Sequence, residues 1–307
     1  MQQYSRNWKL GFGLALTAGA LWGVLPIVLK VALIELDAWT ITWCRFAGAL
    51  TTVGIWLATR GELPLAKLRE GKLWRWLVPG SLGLTFNYVL YVLGLRYTSP
   101  AVTQTVMQIA PLLLLVLGML FFHERFSALQ WLGFAMLVVG LAVFFNRRLP
   151  ELLHPREGWA FGVFLLVWSS ISWAIYGLSQ KQLSRNLNSA QILFLVYAGA
   201  TLTLLPTVNF VSLSKAHQPA LLALLFGVVN TVVAYGGFGL ALEVWEVSRV
   251  SSVVATAPLF TLLGAFIATG LAISWVTPEP LNALSVVGAL CVVAGSMICA
   301  LGSRKRQ

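Results

Sequence analysis

Acidic side chains are scarce in this chain: ten aspartates and glutamates stand against 21 lysines and arginines in 307 residues. None of the ten falls at the centre of an apolar run. Proton-coupled membrane proteins usually bury a carboxylate or histidine there, so the distribution argues against an embedded proton relay. Histidine is rarer still, and His123, His154 and His217 all sit at the ends of apolar runs. No HExxH stretch, paired buried carboxylates or workable Ser/His pair can be assembled from this set, which argues against hydrolytic and metallopeptidase chemistry. The three cysteines, Cys44, Cys291 and Cys299, have neither metal-ligand spacing nor an even count. Packing is their expected role, and no metal or cofactor is expected. Only 10% of residues are charged, against about 25% in soluble domains.

What fills the chain is apolar: 58% of residues are hydrophobic, and the mean hydropathy is +0.82. The expected class is an all-α membrane protein embedded in a lipid bilayer. A net charge of +11 would suggest nucleic acid in a soluble chain. Here the basic residues belong in loops, where the positive-inside rule puts them, and no nucleic acid is expected. Ten runs are long enough to cross a hydrocarbon core: about 10–33, 38–59, 77–95, 99–122, 128–145, 159–183, 188–211, 219–242, 247–273 and 281–301. The first has the length of a span rather than of a signal peptide, and it has a partner in the second half.

That partner belongs to a duplication. Ala257-Pro258-Leu259 repeats Ala110-Pro111-Leu112, 147 positions on, and the same offset pairs Tyr88 with Tyr235. Trp22, Lys30 and Asp37 find Trp173, Lys181 and Asn188, 151 positions on. Glu124, Gly133 and Gly140 find Glu279, Gly288 and Gly295, 155 positions on. Residues 1–150 and 151–307 therefore form two repeats of five helices each. Five is odd, so the second repeat enters the bilayer from the opposite side. The halves relate by a pseudo-two-fold axis in the membrane plane, with binding sites near the midplane where they meet.

An N-terminal Leu21-Trp22-Gly23 span ending in a lysine, Arg45-Phe46 in the second span, and a Pro…Glu…Gly…Gly order in both halves resemble the EamA type of the drug/metabolite transporter superfamily. The resemblance covers nearly the whole chain. It implies a ten-helix inner-membrane carrier of two five-helix repeats and leaves the substrate unnamed. Small multidrug-type relatives use a glutamate inside the first helix; this first span has none, which weighs against polyspecific cation–proton antiport. With the N-terminus cytoplasmic, fourteen basic residues fall on that side and six on the other, Arg45 lying within a span. The expected topology has both termini in the cytoplasm.

Intramembrane polar groups are costly and mark functional candidates. Helical spacing sorts them into stripes expected to line one central cavity: Trp22; Asn87, Tyr88 and Tyr91; Gln104 and Gln108; Trp173; Tyr235; and Ser251. The competing reading is that such groups hydrogen-bond across helices as glue. Lys30, Lys181 and Arg45 are assigned as charges at the cavity mouths. Alternatively the lysines snorkel to headgroups, and Arg45 pairs with backbone carbonyls, Asp37, Glu35 or a substrate carboxylate. Pro26, Pro111 and Pro258 are expected helix breaks. Glu124 and Glu279 read as charges that terminate spans. The glycines of the fifth and tenth spans read as packing positions, within one chain or across a dimer.

The function expected from this set is secondary transport, export or facilitated exit, of a small polar or aromatic metabolite such as an amino acid. It would work by alternating access, with a small-molecule substrate as partner and a monomer or homodimer as the unit. The alternatives are a proton-coupled drug/metabolite antiporter, a membrane enzyme acting on lipid-linked substrates, and a non-transporting receptor or assembly factor.

Overall fold

The computed structural model describes residues 7–110, 113, 127–146, 158–245, 247–270 and 282–301. Pro111, His123, Glu124, His154, Glu279 and the Arg147–Arg148 pair lie outside them. All regular structure among the described residues is helical. The helices are α1 (Trp8–Ala32), α2 (Ala38–Thr59), α3 (Gly71–Tyr97), α4 (Pro100–Val106), α5 (Ala128–Phe144), α6 (Trp159–Leu183), α7 (Ser189–Leu204), α8 (Gln218–Val244), α9a (Val247–Val254), α9b (Ala257–Gly270) and α10 (Ala283–Leu301). Six of them, α1, α2, α3, α6, α7 and α8, are long and apolar enough to cross a membrane; α5, α9b and α10 are shorter apolar helices. Large apolar side chains cover the outside, Leu202, Phe266 and Trp131 among them, as a lipid-facing surface requires.

The helix starts repeat between halves. Asp37 caps α2, accepting from the Trp39 and Thr40 amides at 2.9 Å each. Asn188, its repeat mate, caps α7 through the Gln191 amide at 2.9 Å. Ser127 caps α5 in a reciprocal box with Gln130. Asn282, 155 positions on, accepts from the Ser285 amide at 2.7 Å, beside the start of α10. These side chains satisfy the orphan amides of a helix start.

Some boundaries depart from the apolar runs. The third helix starts at Gly71 rather than near residue 77, drawing Lys72 and Arg75 into its first turns; good helix formers carry it past the apolar stretch. The seventh ends at Leu204, because Pro206 cannot continue a helix; a 3-10 turn, Leu205–Thr207, and a short helix, Phe210–Lys215, follow.

The expected proline breaks are corrected in two ways. Helix α1 runs unbroken through Pro26. The ninth span is interrupted, but at Ala255–Thr256, so Pro258 sits in the first turn of α9b, where its missing N–H costs nothing. Helix α4 stops at Val106, and the turn that follows begins at Met107, four residues before Pro111. That is the reach of a proline's clash with the preceding turn.

Packing joins the halves. Helix α1 lies along α8, α3 along α6, α2 along α7, α4 against α9b and α5 along α10. Shifting each helix five places reproduces this pairing, and the correspondence extends to residues. Gly48 packs on Val228, and its mate Gly199 packs on Ser81, the mate of Val228. The Asn209 amide donates to Thr40 at 2.9 Å. Their mates Glu62 and Gln191 also meet, the Gln191 side chain donating to the Glu62 carbonyl at 2.9 Å. Asn230 meets the Leu21 carbonyl, while at their mates the backbones run close, a Cβ on Gly83 lying 2.9 Å from the Ser172 carbonyl. Helices α5 and α10 approach closely: a Cβ on Gly133 would lie 2.6 Å from the Gly295 carbonyl, and one on Gly295 equally close to that of Gly133. This glycine stripe is spent within the chain.

Candidate substrate site

Aromatic side chains from both halves meet where α1, α2, α3, α7 and α8 converge. Tyr88 and its mate Tyr235 have ring centroids 5.9 Å apart. Phe46 and Tyr197, mates 151 positions apart, lie at 5.7 Å. Phe46 also stacks on Tyr88 at 4.5 Å, and Trp22 stands edge-on to Tyr235 at 5.1 Å with Phe238 at 5.5 Å. Trp173, the mate of Trp22, packs half-buried against the same cluster. Four of the nine expected lining residues, Trp22, Tyr88, Trp173 and Tyr235, are therefore together.

Arg45 belongs to this cluster and is not at a mouth. About two turns into α2, it is only 2% exposed. Its Nε donates to the Thr231 hydroxyl at 3.1 Å and the Gly227 carbonyl at 3.4 Å, both on α8. Its guanidinium carbon lies 4.3 Å from the Tyr88 ring centroid, a cation–π geometry. Asp37 instead caps its own helix, and Glu35 pairs with His217 at 3.1 Å. A glycine on the facing helix lets the arginine stem lie flat, with Cδ 3.3 Å from where a Gly227 Cβ would be, so the charge is held inward. Lys30 and Lys181 do stand at helix ends, in the last turns of α1 and α6, where a cation suits the helix dipole.

The amide candidates serve the interhelical reading. The Asn87 amide donates to the Ser169 carbonyl at 3.0 Å and hydroxyl at 2.9 Å, and that hydroxyl donates back to the Asn87 carbonyl at 2.9 Å, clasping α3 to α6. Pro26 has no N–H to give the Trp22 carbonyl four residues before it; Gln104 supplies the donor from α4 at 3.1 Å. The flanking carbonyls are also held, Leu21 by Asn230 at 2.7 Å and Gly23 by Thr261 at 2.6 Å. Three helices thus reach three consecutive carbonyls of α1 just before its proline. Tyr91 donates to Gln104 Oε1 at 3.4 Å. Gln108 is buried with its Oε1 unpartnered. Ser251 lies half-buried on α9a.

Sequence reading missed Phe46, Tyr176, Tyr197 and Asn230 as members of this region. The hydroxyls of Tyr88 and Tyr176 and the Asn230 Oδ1 are buried without a hydrogen-bond partner; Tyr88 stands beside the Tyr235 and Thr231 hydroxyls without bonding geometry to either. The signal for Tyr197 was available, because the offset that pairs Trp22 with Trp173 also pairs Phe46 with Tyr197.

A duplicated helical membrane bundle that pools aromatic and amide side chains at the seam of its halves has the build of a solute carrier. The chain belongs to the EamA-like transporter family, of the drug/metabolite transporter superfamily. The family model matches twice, over residues 9–146 and 160–301. The uncharacterized inner membrane transporter YhbE of Escherichia coli is 35% identical over 301 residues, covering 96% of this chain and 92% of that one. A protein of Salmonella typhimurium described as a probable amino-acid metabolite efflux pump is 24% identical, covering 97% of both chains. A solved crystal structure superposes with a TM-score of 0.65 at 16% identity, over 95% of this chain and 97% of that one, a likeness of fold alone.

Proposed function

We propose that this protein is a secondary carrier that moves a small polar or aromatic metabolite, such as an amino acid, out of the cell by alternating access. It would consist of ten spans in two inverted five-helix repeats, residues 1–150 and 151–307. It would lie in the inner membrane with both termini in the cytoplasm. The observation that carries this reading is the meeting of repeat mates, Tyr88 with Tyr235 and Phe46 with Tyr197, ring to ring between the halves. A site shared by two mobile halves is what rocking of one repeat against the other exposes to each side in turn. The helix pairing, unchanged when the halves are exchanged, supports a two-fold relation. Five spans per half would place that axis in the membrane plane. The efflux description of the Salmonella relative supports the direction and the substrate class.

Purified protein in proteoliposomes loaded with labelled amino acids and sugars tests the reading. Saturable counterflow of at least one solute, recovered chemically unchanged, is the expected result. Conversion of the solute would indicate an enzyme, and failure of all solutes to move would leave a receptor.

A further inference from the structure

We propose that Arg45 is the anion-reading group of this site, and that the transported solute carries a single carboxylate on an apolar or aromatic body; this rests on the carrier reading above. Duplication supplied the aromatic walls twice but the cation once. The mate of Arg45 is Val196, and the mates of its anchors Gly227 and Thr231 are Gly80 and Leu84, so the mirrored position is apolar. An arginine kept only to tie α2 to α8 would spend its whole fork on protein. Here every hydrogen bond to a described residue runs from Nε. Thr231 donates to the Gly227 carbonyl at 2.8 Å without needing the arginine.

A buried guanidinium must be matched by charge or donors left unused are costly. Beside it the Tyr88 hydroxyl, though near those of Tyr235 and Thr231, makes no hydrogen bond in bonding geometry, and nor does that of Tyr176 in the same tyrosine cluster. A cation with idle donors around it fits a planar carboxylate. One charge neutralises one: Lys30 and Lys181 stand at the helix ends, so a dianionic phosphate would enter under-neutralised. Trp22 and Tyr235, packed edge to face at 5.1 Å, supply an apolar wall in the same cluster for the body of the solute.

The test uses full-length protein in nanodiscs, with affinity read from thermal-shift titration. The probes are 3-phenylpropanoate, its uncharged amide and phenyl phosphate. A lost charge-assisted hydrogen bond in a buried site weakens binding about tenfold to a hundredfold. The carboxylate is therefore expected to bind at least about tenfold tighter than the amide, with phenyl phosphate weaker than the carboxylate. Arg45→Gln should bring the carboxylate-to-amide ratio to about one, and Arg45→Lys should keep part of it. Equal affinity for acid and amide in the unmodified protein, or response to neither, overturns the proposal even if Arg45→Gln does not fold. So does a folded Arg45→Gln protein that keeps the ratio. Counterflow of the same probes separates the two readings. Saturable flux without acid preference removes the anion site and leaves the carrier. Acid-selective binding with no flux removes the carrier and leaves the site.

Discussion

Gln104→Leu, made in two backgrounds, separates support of α1 from contact with solute. In the native chain the Trp22 carbonyl depends on Gln104 Nε2 at 3.1 Å, because Pro26 has no hydrogen to offer. Leucine would strip that carbonyl in a buried place. An unsatisfied buried carbonyl costs about 1–3 kcal/mol, and interhelical hydrogen bonds in membranes average about 0.6 and reach about 1.7. A loss of about 1–1.5 kcal/mol is expected. Pro26→Ala restores an N–H within the helix, so in that background the same change should cost no more than about 0.5 kcal/mol, a coupling near 1 kcal/mol. The long Tyr91 contact to Gln104, 3.4 Å, is lost in both arms and cancels. Reversible unfolding in mixed micelles measures the four stabilities, and proteoliposome flux is read alongside. Equal cost in both backgrounds would refute the carbonyl-support argument. Flux lost in both, with stability rescued, would show that Gln104 touches the solute as well.

Four further outcomes follow from the fold. Gly295→Ala puts a Cβ 2.6 Å from the Gly133 carbonyl and should cost about 1–3 kcal/mol, whereas Gly13→Ala, which meets open space, should not; thermal melts compare them. Asp37→Ala and Asn188→Ala each remove a cap and should cost about 1 kcal/mol in the same melts. Glu35 is held below the usual carboxylate range, chiefly by the His217 backbone N–H donating at 2.7 Å and then by its ring. This tie is present above the ordinary carboxylate pKa and lost as pH falls through the lowered one, so hydrogen exchange at the start of α8 should rise there and Glu35→Gln should flatten the response. Lys30→Cys and Lys181→Cys should react with an impermeant thiol reagent from opposite sides of the membrane; labelling from one side would refute the inverted arrangement.

The duplication was legible because offsets survive in sequence, and with it the pairing of Asp37 with Asn188 and of Tyr88 with Tyr235; that the first pair caps helices shows only in the structure. What was not legible is where a side chain on a correctly read face points. Helical spacing puts Gln104 on an inward stripe, but its target is a carbonyl freed by a proline in another span. Arg45 reads as intramembrane from its depth, yet its anchor Thr231 lies 186 positions away, and the glycine that makes room for its stem is on that same distant helix. The breaks before Pro111 and Pro258 fall some residues earlier than the prolines, because the clash acts on the preceding turn.

Because Gly48 on Val228 and Gly199 on Ser81 are one junction made twice, the molecule holds an internal control for every experiment on its seams. Adding a methyl group at Gly48 and, separately, at Gly199 applies a matched insult to twin joints. Any difference in what the two lesions do to turnover reports how far the halves have drifted apart since they were copies, together with how unlike the two joints stand in a given state of the cycle.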